Sequence, residues 1–183
     1  METTPDEQNI SKVILFFSDP QKIRESNTSI IKEAQDRGYT PIVTTINFPA
    51  SILEKLYLQN DLDTSEIYFI DAISKFSTGP KSVSPDDRHI FLNTPSDLTN
   101  LSIAISEMLK RNNGKRILIL IDSISTMLIY LPSVKISQFV HIISSKIRQI
   151  EENCTFLAVE GGLDPLLYSQ IRSFVDDVVE ETG

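Results

Sequence analysis

Five consecutive apolar residues, Ile117–Ile121, run straight into an acid, Asp122. A strand that is apolar at every position must be covered on both faces, which is the condition of a parallel sheet flanked by helices. The same signature recurs at Val13–Phe17, which ends at Ser18-Asp19, and in β-branched form at Pro41–Ile46. Further strands are predicted at Glu66–Ile70, ending at Asp71, at His89–Leu92, and at Thr155–Val159, which runs into Glu160. A last edge strand is predicted at Val175–Val179.

Helical patterns fill the intervals. Ile23, Ile30, Ile31 and Ala34 share a face in a stretch that closes at Gly38. Ile52, Leu53, Leu56 and Tyr57 follow Pro49, and Leu98, Leu101, Ile105, Met108 and Leu109 recur at helical spacing. Ile136, Phe139, Val140, Ile143, Ile147 and Ile150 form the stripe of a long amphipathic helix. Thr94 is the predicted cap of the helix through Leu98, with Pro95 at its first position, and Asp164-Pro165 caps the last helix. Strands alternating with helices predict an α/β fold: three layers, α-β-α, around a mainly parallel, doubly wound sheet. The expected organisation is a flexible tail over 1–11 and one domain over 12–180. A mobile loop is expected at 77–88, where Gly79, Pro80 and Pro85 break the pattern.

Composition narrows the function classes. The 183 residues suit a single domain with a real core. A net charge of −8 argues against a nucleic-acid or anionic-membrane binder, both of which need a cationic footprint. One cysteine, Cys154, and two histidines, His89 and His141, exclude a disulfide framework and argue against a cysteine- or histidine-based metal site. Cys154 is expected to pack as a small apolar residue, His141 to lie on a solvated helix face, and His89 in a solvated loop. The polar start lacks a secretory pattern, and no apolar run approaches the ~18 residues of a membrane span. A soluble, cytoplasmic protein is expected.

In open α/β sheets ligands sit beyond the carboxyl ends of the strands. Here that edge carries Ser18, Asp19, Asn47, Asp71, Asp122, Ser123 and Glu160. It is acidic, and Lys22, Lys75 and Lys81 are the nearest lysines in sequence. Such residues also serve as plain strand caps, and both readings stay open. A phosphate cradle needs glycines and a lysine, so that backbone N–H groups converge on the anion. All six glycines fall at position 38 or later, and the first strand–helix connection, Phe17 to Ser26, holds none.

The run from Arg116 to Ser125, with its strand ending in Asp122, resembles the Walker B strand of RecA-like ATPases, in particular the KaiC-like branch common in archaea. Leu128–Leu131 with the proline and helix that follow, the strand before Glu160-Gly161, and the acidic Val175–Val179 extend the resemblance over most of residues 12 to 180. The resemblance implies a RecA-like sheet and a site for a nucleotide with Mg²⁺. It places Asp122 alone, as the Mg²⁺-positioning acid; Ser123, Lys22 and Ser18 are the further candidates for binding a nucleotide with Mg²⁺. The departures are specific. The positions of the loop glycines fall on Phe17, Pro20 and Lys22, that of the lysine on Ile23, and that of the threonine on Arg24. The catalytic glutamate's place reads Ile46-Asn47-Phe48. Phosphoryl transfer rests on positioned charge, so these losses together should abolish it.

The expected function is therefore a degenerate, non-hydrolysing relative, a pseudo-ATPase. It would be a regulatory or protein-interaction module without a cofactor, and its partner would be a second copy or an intact RecA/KaiC-like relative. One alternative is a nucleotide-binding switch that uses Asp122 and Mg²⁺ without hydrolysis. Another is a metal-dependent hydrolase built from the strand-end acids Asp19, Asp71, Asp122 and Glu160. A receiver-type phosphoacceptor would need a lysine after the strand ending at Val159, where the chain reads Glu160-Gly161-Gly162.

Overall fold

The computed structural model describes residues 11–181. The tail expected over 1–11 lies outside them, Ser11 excepted. Seven strands and seven α-helices are interleaved among the described residues. In chain order they are β1 (Val13–Ser18), α1 (Ile23–Asp36), β2 (Thr40–Thr45), α2 (Ala50–Gln59), β3 (Tyr68–Asp71), α3 (Ser74–Thr78) and β4 (His89–Phe91). There follow α4 (Leu98–Arg111), β5 (Ile117–Asp122), α5 (Ile124–Met127), α6 (Ser133–Gln149), β6 (Asn153–Val159), α7 (Pro165–Phe174) and β7 (Asp177–Glu180). They build one sheet in the order β4-β3-β2-β5-β6-β1-β7. Every neighbouring pair is parallel.

The apolar runs follow from that order. β5 lies between β2 and β6, and β6 between β5 and β1, so neither has a solvated face. Ile119 and Ile121 enter one core with Leu15, Ile42 and Phe156, against Ile105 and Met108 of α4, Val140, Ile143 and Ile147 of α6, and Leu167 and Ile171 of α7. Leu120 enters the other core with Val43, Phe69 and Leu157, against Ile31 of α1 and Leu53 and Tyr57 of α2. The expected three layers and double winding are present.

The winding also locates the crevices. From β1 to β2 to β3 the chain steps one way along the sheet, and α1 and α2 cover one face. From β4 to β5 to β6 to β7 it steps back, and α4, α6 and α7 cover the other. Neighbouring strands whose helices depart to opposite faces are β2/β5 and β6/β1. At such points the loops part and leave room for a ligand.

Several boundaries differ from the expected ones, each for a local reason. Asp97, not Thr94, caps α4: its carboxylate accepts from the Asn100 amide at 3.0 Å, which sets the start at Leu98. Asp63 caps a short 3-10 turn, Thr64–Glu66, which delays β3 to Tyr68. Val175 is buried as the residue that ends α7, and β7 begins only at Asp177. His89 is buried rather than in a solvated loop. It begins β4, stacks on Phe69 and Phe91 with centroids 5.2 and 6.0 Å away, and has Asp86 at 2.8 Å on Nδ1 and Glu54 at 3.2 Å on Nε2. Polar partners at both ring nitrogens remove the usual objection to burial. The stretch at 77–88 begins inside α3. Its far end is held, since the Arg88 guanidinium donates to Glu54 and to the carbonyls of Thr64 and Ile67. Cys154 is fully buried within β6, and burial pushes its thiol pKa up. His141 is exposed and stacks on Phe174 at 4.6 Å.

Candidate functional site

Asp122 closes β5 at the β2/β5 crevice and is fully buried. Its Oδ2 accepts a hydrogen bond of 2.7 Å from Asn27 Nδ2 of α1, and Asn27 Oδ1 accepts in turn from the Tyr57 hydroxyl of α2. Its Oδ1 has no hydrogen-bond partner among the described residues. Burial pushes the carboxyl pKa up to about 6, against the opposing pull of Asn27 and Asn47. Burial and the nearby carboxylate together drive the Tyr57 hydroxyl pKa well up. The Asp122 carbonyl takes the amides of Ile46 at 2.7 Å and Asn47 at 3.2 Å, which ties the turn after β2 to this point.

Ser123 is buried and caps α5, its Oγ accepting from the Thr126 amide at 3.2 Å and meeting Thr126 Oγ1 at 2.8 Å. The next turn comes close. Ser125 Oγ accepts from the Val159 amide at 2.9 Å, and a Cβ on Gly162 would lie 2.8 Å from that oxygen and 2.9 Å from the Val159 carbonyl. Glycine is therefore required where the β6–α7 turn crosses the β5–α5 turn.

At the β6/β1 crevice the first strand ends in a hydroxyl pair. Ser18 and Ser26 are both buried, with oxygens 2.6 Å apart. The Glu181 carboxylate closes over them, taking 2.8 Å from Ser26 Oγ and 3.5 Å from Ser18 Oγ. Asp19 accepts from the Gln21 amide at 2.7 Å and shapes the turn. Lys22 stands just before α1; its side chain is exposed and in no ion pair with a described residue. Glu160 is exposed and unpaired in the same sense. It borders a cavity of about 430 Å³ lined by Phe17, Glu160, Gly161, Leu163, Tyr168 and Glu180.

Asp71 ends β3 and is fully committed. Its two oxygens accept from the amides of Ala50, Ile73 and Ser74 and from Ser74 Oγ, at 2.6–2.9 Å. The strand-end acids do not converge. Thr45 of β2 pairs with both Asp71 and Asp122, so those two stand two strands apart, about 10 Å. Ser18 lies two strands from Asp122 on the other side, beyond β6. Among the described residues no three His, Cys, Asp or Glu side chains come together as a metal site. No helix there is long and apolar enough to cross a membrane.

Asn27, Ser26 and Glu181 were not among the residues expected at the site. The available signal was the run Ser26-Asn27-Thr28 on the first helix, one turn before the inward Ile31, where three buried polar residues interrupt an apolar face.

A family model described as "Family of unknown function (DUF7504)" matches residues 27–181. None of the curated proteins matches the chain in sequence. Among solved structures, the KaiC-like protein PH0186 from Pyrococcus horikoshii OT3 superposes with a TM-score of 0.65 at 14% identity, over 93% of this chain and 71% of that one. The uncharacterized protein PH0321 from Pyrococcus horikoshii, solved in complex with an unknown peptide, does so with a TM-score of 0.71 at 11% identity, over 93% of this chain and 77% of that one. At these identities the likeness is one of fold, KaiC-like and RecA-like.

Proposed function

The chain belongs to this DUF7504 family, and from that premise and the geometry of its two crevices we propose that it is a non-catalytic regulatory or protein-interaction module. In this reading a RecA-like scaffold is kept and its nucleotide chemistry is gone. The observation that carries the reading is at the end of the first strand. The hydroxyls of Ser18 and Ser26 are taken by the chain's own carboxylate, Glu181, at 2.8 Å from Ser26. An anion already stands where a RecA-like ATPase would bring the phosphates, and the connection beside it has no glycine to let its N–H groups converge on one.

The residues present fit a Mg²⁺-nucleotide poorly. Asp122 offers one oxygen unpartnered among the described residues, but the neighbouring polar groups at that crevice are Asn27 and Asn47, and neither is an acid able to activate water. The degenerate phosphate loop and the lost glutamate belong to this proposal. A pairing with a second copy or an intact KaiC-like relative fits it, and the PH0321 neighbour, solved with an unknown peptide, supplies a parallel for peptide binding on this fold.

The competing reading, a nucleotide-sensing switch without hydrolysis, draws on that one free oxygen of Asp122. Calorimetric titration with ATP, ADP and GTP, with and without Mg²⁺, decides between them when it is paired with a phosphate-release assay. The module reading expects no saturable heat at millimolar nucleotide and no turnover. Micromolar binding that is lost in Asp122→Ala would establish the switch. Turnover lost in the same variant would overturn both.

A further inference from the structure

We propose that the free edge of β7, together with the cavity at its carboxyl end, receives an extended, basic peptide segment of a partner protein; the inference rests on the interaction-module reading. Among the described residues β7 is the outermost strand on its side of the sheet and pairs only with β1. In a parallel pair each strand directs alternate N–H and C=O groups to its neighbour and the rest the other way. The outward groups of β7 meet no strand among the described residues, and Asp177, Val179 and Glu180 are exposed. Such an edge is a template for a further strand.

The charges say what kind of strand. Toward the start of β7 the acids are already answered: Asp177 pairs with Lys12 at 3.7 Å and Asp176 with Arg148 at 3.1 Å. Toward its end Glu180 has no cationic partner among the described residues, and neither has Glu160 across the cavity. Between these two carboxylates the cavity floor is aromatic and aliphatic. Phe17 and Tyr168 pack with ring centroids 5.8 Å apart, and Leu163 completes the lining. A carboxylate rim over an aromatic floor suits a cation on an apolar stem, which is the side chain of arginine or lysine. A phosphate would be repelled by the same two acids. A second copy adding edge to edge would set Asp177 and Glu180 against their own likes, which disfavours self-pairing. The opposite edge is the weaker template, since β4 has only three residues.

The test uses synthetic eight-residue peptides titrated into the full chain. One alternates lysine with valine; a second carries the same charges with N-methyl groups on both edges of its backbone; a third has glutamate in place of lysine. The proposal expects the first to bind, with amide NMR shifts and hydrogen-exchange protection centred on residues 176–181. It expects the glutamate peptide not to bind, and the N-methylated one to bind at least tenfold more weakly. The double variant Glu160→Gln/Glu180→Gln, both at exposed positions, should weaken the lysine peptide about tenfold and leave the melting temperature in place. Equal binding of the N-methylated peptide would reduce the effect to charge alone and overturn the strand addition. Shifts centred away from β7, or no binding of the lysine peptide, would also overturn it. Those failures leave the module reading standing, because that reading falls only to nucleotide binding or turnover.

Discussion

At Asp122 a carboxyl group sits inside the sheet with one oxygen bonded to Asn27 and the other bonded to nothing among the described residues. Its ordinary pKa of 3.8 rises to about 6, chiefly through burial. The folded chain therefore holds this proton more tightly than the unfolded one. The stability that follows is complete below the ordinary value and is lost as pH climbs through 6. A shift of this size corresponds to ~3 kcal/mol. Asp122→Asn keeps the acceptor for Asn27 and cannot ionise. Denaturant melts at pH 4 and pH 8 should show the variant gaining up to ~3 kcal/mol on the parent at the higher pH. A difference that stays flat across that range would mean the carboxyl does not titrate in the fold. Asn27→Ala acts in the opposite sense on the same group. It removes a hydrogen bond to the charged form, so carboxyl carbon NMR should place the Asp122 pKa higher than in the parent.

Elements are joined here by single polar residues as much as by apolar faces. Asp71 is the clearest case, since its four accepted bonds hold the start of α2 and the start of α3 to the end of β3. Asp71→Asn turns one acceptor into a donor facing donors. Urea unfolding should register a loss of about 3 kcal/mol, whereas Glu160→Gln, at an exposed position, should stay within about 0.5 kcal/mol. At Gly162 an added methyl would meet Ser125 Oγ at 2.8 Å and the Val159 carbonyl at 2.9 Å. The second contact is backbone and cannot swing aside, so Gly162→Ala should lower stability by about 1–3 kcal/mol, read from the same melts. Elements of this kind differ in how far the sequence reveals them. The strands were legible because burial on both faces leaves runs such as Ile117–Ile121 with no polar residue at all. The last helix was legible through its Asp164-Pro165 cap, which accepts from the Leu167 amide at 2.9 Å. The start of α4 is not legible, because Thr94 and Asp97 are both good caps and only the course of the chain chooses between them. The strand-end acids were legible as a set but not as partners. Their spacing depends on strand order, which places β6 between Asp122 and Ser18. Asn27 and Glu181 were not legible, since a buried polar residue on a helix, or an acid after a last strand, has meaning only once its partner is placed.

Across the whole of the described sheet, the first strand lies between the sixth and the seventh. β1 is flanked by β6 and β7, so both sides of Val13–Ser18 are covered only by strands about 140 residues or more further along the chain. β7 has the smaller share in the core and the larger share in protection. It covers the edge of a strand whose sequence is almost wholly apolar, and it brings Glu181 to Ser26 and Asp176 to the Val13 amide at 2.8 Å each. A long apolar edge left open is a site for pairing with another chain. A chain ending at Val175 loses β7 and those polar contacts while both helical layers remain. Sedimentation velocity at rising concentration should then show the shortened chain associating more strongly than the parent, with far-UV circular dichroism still reporting helix and sheet. Lysine placed at Ile14 of the shortened chain, a position only partly buried, should restore the smaller species, because a charge on an open edge opposes pairing. If the shortened chain sediments as the parent does, an open β1 edge does not drive association, and the protective role of β7 falls.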